Sequence, residues 1–152
     1  MVQDIDEAAT EFLDLNFIVD MWACHGWKNF ALSPLRNQNV YAGLAVVDAT
    51  IHRRPHYFGE ILGELLFWLG ADRILYGSDY AIWSPKWIVE EFMNFELPED
   101  VAAETGQTLT MAVRRKIMGE NAARLDNIDI AERCKKLGLP VPAKAEAAAA
   151  VA

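Results

Sequence analysis

Apolar positions fall into runs of different period along the chain, and the period predicts the elements. Residues 4–14 (DIDEAATEFLD) read as the end of a helix, with Ala8, Phe12 and Leu13 on one side. LNFIVD, 15–20, is a short apolar run that suits a buried strand, and NVYAGLAVV, 39–47, is a second, richer in β-branched residues. Between them, residues 21–38 show neither helical nor strand periodicity. Phe58, Ile61, Leu62, Leu65, Leu66 and Leu69 recur at helical spacing, so a helix is predicted from Pro55, a first-turn proline, to Leu69, with Gly70 as its stop. Arg73 to Tyr76 is a third strand, left through Gly77-Ser78-Asp79. Ser84, as N-cap, and Pro85 open a helix through PKWIVEEFMNF. A helix over Leu109–Leu125 follows, with Ile117 and Met118 inward, and another over Ile130–Leu137 closed by Gly138.

Strands separated by helices imply parallel pairing through right-handed crossovers. Three parallel strands form a small sheet, and parallel sheets need cover on both faces. The fold class predicted is α/β, a partial (β/α) barrel of about three parallel strands plus C-terminal helices. Residues 1–139 form that unit. From Pro140 the chain reads as a tail, 140–152, because AKAEAAAAVA has little to bury.

Charge and composition narrow the function. The net charge is −8, which disfavours phosphate backbones and anionic lipid, so nucleic acid and membrane surface are not expected as partners. The start, MVQDIDEAATEF, has no basic flank or apolar run of a signal peptide, and the apolar stretch around 61–69 is interrupted by Glu64. Two distant cysteines, Cys24 and Cys134, make no disulfide framework, and a reducing cytoplasm fits.

LGADRILYGSDYAIWSPKW resembles the last barrel strand of the amidohydrolase-related family, in the branch of aminocarboxymuconate-semialdehyde decarboxylase and related hydrolases and decarboxylases. KIMGENAARL, 116–125, is similar to the helix that closes that barrel, LNFIVD to its sixth strand and NVYAGLAVV to its seventh. The resemblance spans roughly residues 5–130. It implies a metal-dependent hydrolase or decarboxylase of small carboxylate- or amide-bearing molecules, with a divalent metal, zinc first. In such barrels the chemistry sits at the carboxyl ends of the strands. Asp79 falls there, and the resemblance implies that it binds the metal or takes a proton from metal-bound water. The plain alternative is that Ser78-Asp79 makes a turn or caps a helix.

The family site also uses a His-x-His pair on the first strand, a His after the fifth and a His ending the sixth. Only the last has a position here, and residue 21, after Asp20, is Met. One carboxylate cannot hold a catalytic zinc, which takes three protein ligands. Cys24-His25 are adjacent and lack a distant partner pair. His52 and His56 are separated by Pro55, which implies a solvated or hydrogen-bonded loop role. Asp48 ends the NVYAGLAVV strand at the same mouth; it caps a helix or contacts substrate. Alone, the chain is expected to be inactive. The rival reading is a non-catalytic module that self-associates through open sheet edges at LNFIVD and RILY.

Residues 21–38 match nothing in the family although both flanks do. Reverse-translated and read one base earlier, MWACHGWK permits His-Val-Gly-Leu-Pro-Arg-Leu-Glu, with Val, Gly and the final Glu forced. That string is similar to the family's sequence after strand six and starts with the missing His. A pair of compensating indels would explain it; ordinary divergence is the alternative. The indel reading also predicts poor order over 21–38.

Overall fold

A computed structural model of the chain describes residues 3–20, 37–80 and 84–142. Helix α1 (Gln3–Glu11) leads to strand β1 (Phe17–Asp20), then β2 (Val40–Gly43), a 3-10 helix (Val47–His52) and α2 (Pro55–Leu69). A short 3-10 turn (Ala71–Arg73) enters β3 (Ile74–Leu75). Helices α3 (Pro85–Asn94), α4 (Glu99–Thr105) and α5 (Met111–Arg115) follow. A π-helical turn (Lys116–Glu120), α6 (Asn121–Leu125) and α7 (Ile130–Lys136) complete the described chain. The predicted 21–38 segment lies almost wholly outside the described residues, as do Cys24 and His25.

The sheet is parallel in the order β1-β2-β3, with Phe17 opposite Val40, Asp20 opposite Gly43 and Gly43 opposite Leu75. This is an open parallel sheet flanked by helices, an incomplete barrel of the predicted class.

The pleat divides the strand residues into two sets. Val40, Ala42 and Ile74 are fully buried and join Phe17 and Val19 in the main core with α2 and α3. Phe58 anchors that core, packing edge-on against Phe92 and Phe95 with ring centroids 6.3 and 5.1 Å away. Ile18, Asp20, Tyr41, Gly43 and Leu75 alternate with them and so face the other way. Ile18 there remains 57% exposed, an unusual state for an apolar residue of a parallel strand.

Helix α2 matches its predicted bounds, and Gly70 leaves it at φ 72°, which a side chain would resist. Helix α4 was not foreseen. It packs close on α2 because Gly59 and Gly63 have no side chains there: a methyl would strike Pro98 at one position and Val101 at the other. Three other expectations need correction. Phe12 and Leu13 lie beyond the end of α1 and are 53% and 75% exposed, while Ile5 and Ala9 turn inward. NVYAGLAVV is a strand only to Gly43; Val47 already belongs to the 3-10 helix. Ser84 precedes α3 but its side chain makes no capping hydrogen bond.

The edge expected to be open at RILY is closed. In β3, the Leu75 carbonyl accepts from the N–H of Leu44, just past the end of β2, at 2.9 Å, so the neighbouring peptide groups face outward. There Tyr76 donates its N–H to the Ile117 carbonyl at 3.0 Å. The Asn121 amide donates to the carbonyls of Ile74 and Ala71 at 2.8 and 2.7 Å. The KIMGENAARL segment thereby serves the backbone groups a further strand would have used.

Candidate functional site at the carboxyl ends of the strands

Because the strands are parallel, Asp20, the turn after Gly43 and the segment after Leu75 all leave on one side of the sheet. The Asp20 side chain is exposed and its carboxylate lies over Gly43, where a methyl would collide with it. Asp79 stands in the loop leaving β3, half-buried, with φ 46°. That left-handed conformation is open to Asp because its short polar side chain bonds locally or to solvent.

Asp48 corrects the expectation that it caps a helix. It sits inside the 3-10 helix, 1% exposed, and neither carboxyl oxygen has a hydrogen-bond partner among the described residues. Burial pushes its pKa up to about 7, and the charge of Asp79 pushes the same way. The nearby Ala49 N–H pulls it down in part, but that N–H is already donated to the Val46 carbonyl at 3.2 Å. Tyr76, in the loop immediately after β3, buries its hydroxyl oxygen without a partner among the described residues. Burial raises the Tyr76 pKa, and Asp48 adds to the rise. Sequence reading passed over Tyr76; its place at a strand exit was the available signal.

Two residues before Asp48 the backbone is strained. Val46 has φ 68° and ψ −45°, close to the γ-turn region, which a β-branched residue rarely enters. The Asp48 N–H still donates to the Leu44 carbonyl at 3.0 Å, so the chain folds back tightly over the end of β2.

The histidines do not join this cluster. His52 is exposed at the end of the 3-10 helix. His56 lies in the first turn of α2, where its Nε2 is 2.8 Å from Asp100 in α4 and its Nδ1 is 3.5 Å from Glu60. Hydrogen bonding to Asp100 raises its pKa. Among the described residues no three His, Cys, Asp or Glu side chains gather as a metal ion requires. These residues therefore do not fit a zinc ion by themselves. A cavity of about 520 Å³ elsewhere is lined by Met93, Met118, Gly119 and Ile130, with the Arg115–Glu120 ion pair beside them, and includes none of Asp20, Asp48, Tyr76 and Asp79.

A family model described as amidohydrolase matches residues 1–125. The chain belongs to the amidohydrolase family. Two crystal forms of an amidohydrolase from Burkholderia multivorans, one described with bound HEPES and one with bound zinc, share its fold. Each superposes at a TM-score of 0.55 with 15% and 16% identity, covering 81% of this chain and 48% of the other. The chain thus spans about half the length of these amidohydrolases. No curated protein matches it. Among the described residues no helix is long and apolar enough to cross a membrane.

Proposed function

We propose that this amidohydrolase supplies the last three strand units of a metal-dependent hydrolase or decarboxylase of small molecules, in the branch of aminocarboxymuconate-semialdehyde decarboxylase. The observation that carries the reading is the position of Asp79, half-buried at the carboxyl end of a parallel strand. Active sites of (β/α) barrels occupy that end. Asp79 acts there as a metal ligand or as the base that accepts a proton from water. The remaining ligands are not among the described residues, so zinc, the metal the resemblance favours, is not held by them alone. The chain by itself is inactive on this reading.

The test is metal content with turnover. The purified chain, dialysed against zinc, should carry well under one zinc per chain and hydrolyse neither simple amides nor lactones. One tightly held zinc per chain, with turnover abolished by Asp79→Asn, would refute the inactivity while supporting the role of Asp79.

A second reading, a non-catalytic module that pairs with a complementary half or with itself, draws on the exposure of Ile18 and on the unpaired outer side of β1 among the described residues. The closed outer edge of β3 restricts such pairing to the β1 side. Sedimentation separates the two: a stable metal-free dimer that Ile18→Lys dissociates belongs to the module.

A further inference from the structure

The cavity of about 520 Å³ beside the C-terminal helices lies apart from the strand mouth and plays no part in the reading of Asp79. Its size is that of a small-molecule site, since such pockets hold about 300–1,000 Å³. Three elements wall it. Met93 comes from α3, Met118 and Gly119 from the π-helical turn, and Ile130 from the first turn of α7. π-Helical turns are rare and gather at functional sites. This one is fixed from behind. The Ile117 carbonyl accepts the Tyr76 N–H at 3.0 Å, Lys116 Nζ lies 2.8 Å from Asp72, and the Ile117 side chain is 1% exposed. A wall held in this way keeps its shape before a ligand arrives, which lowers the ordering cost of binding. Gly119 adds room: a methyl there would meet nothing within 4 Å.

The charged side chains at the cavity are Arg115 and Glu120, joined through Arg115 Nε at 3.2 Å. They are not equally available. Arg115 is 44% exposed and Glu120 28%, and Glu120 has a further interaction of its own. Among the described residues the two Nη groups of Arg115 donate to no side chain or carbonyl. Glu120 thus steadies the guanidinium by one edge and leaves the other for a ligand. A guanidinium edge is a planar fork of N–H donors that matches a carboxylate.

We propose that this cavity binds an amphipathic monocarboxylate, with its hydrocarbon chain against Met93, Met118 and Ile130 and its carboxylate on the Nη edge of Arg115. Methionine suits such a chain, because its unbranched, polarisable thioether adapts to the shape beside it. A neutral molecule of the same length fills the apolar part alone. A cation meets the guanidinium and finds Glu120 already engaged. A second carboxylate on the ligand would be buried among methionines without a partner.

The experiment uses the whole chain with ¹³C at the methionine methyls, which report on two of the walls. Octanoate is titrated in, with 1-octanol and octylammonium as probes of matched length. The expected result is a saturable shift at Met93 and Met118, while Met111, which does not line the cavity, stays unmoved. Hexanoate, two methylenes shorter, should bind about tenfold more weakly. Octanol and octylammonium should each bind about fivefold more weakly than octanoate. Arg115→Gln should erase the preference for octanoate over octanol. If that variant fails to fold, the comparison of the three probes on the unaltered chain carries the test. No saturable shift, equal affinity for octanoate and octanol in the unaltered chain, a preference kept in Arg115→Gln, or a Met111 shift with the same concentration dependence would overturn the proposal. No metal or turnover enters the measurement, so its outcome and that of the zinc test are independent.

Discussion

The two faces of the sheet are built from alternate residues of the same three strands and are covered unequally: Gly43 and Leu75 on the second face are buried, but Ile18 is not. Val40, Ala42 and Ile74 are sealed under α2 and α3, while Ile18 one pleat away is more than half exposed. The strands carry apolar residues on both sides, which suits a sheet covered twice. The chain's own helices supply one cover. The lesson is that the local elements of a barrel form in a chain that spans about half the length of the two amidohydrolase structures, while the described residues leave part of the second face uncovered.

The largest effect should come from the sealed side. Phe58→Ala removes a fully buried ring and its contacts with Phe92 and Phe95, and should cost about 3–5 kcal/mol in denaturant unfolding. A loss under 1 kcal/mol would mean that this core is not formed.

A pH titration of stability probes the boundary between the two faces at Asp48. Folded Asp48 keeps its proton to about pH 7, against 3.8 for the ordinary group. Between those values the folded state binds the extra proton, so stability from this group is full below the lower value and is lost as pH rises through the upper one. The slope should approach about 1.4 kcal/mol per pH unit in that window. Asp48→Asn should flatten it.

Next comes the closed edge. Asn121→Ala leaves the carbonyls of Ile74 and Ala71 without their donor and should cost about 2 kcal/mol, with faster hydrogen exchange at Tyr76. The smallest effect belongs to the open side: Ile18→Ser should change monomer stability by no more than about 0.5 kcal/mol. A larger loss, growing with protein concentration, would show that a second copy covers this face.

Much of the scaffold was legible. The spacing of Phe58 to Leu69 fixed α2 to the residue, since a buried helix with a proline at one end and a glycine at the other leaves little freedom. Strand order and direction followed from the helix between β2 and β3. Strand lengths did not follow, because hydrophobicity marks burial, and Leu44 and Val47 are buried outside the strands. Helix α4 escaped attention although Pro98 precedes it, Glu99 and Asp100 open it and Gly106 closes it at φ 67°. The site was half legible. Asp79 could be placed from the turn that contains it, but a carboxyl in a 3-10 turn gives no sign of which way it faces. The inward turn of Asp48 and the role of Asn121 on β3 are tertiary facts. The nucleotides encoding 21–38 decide the indel reading separately.

The convergence of the strand exits can be measured at one atom. Followed by ¹³C shift, the Asp48 carboxyl should titrate near pH 7, and Asp79→Asn should lower that midpoint by removing a like charge. A midpoint near 3.8, indifferent to residue 79, would mean that the two aspartates do not share a buried mouth, and the account of the site would fail with it.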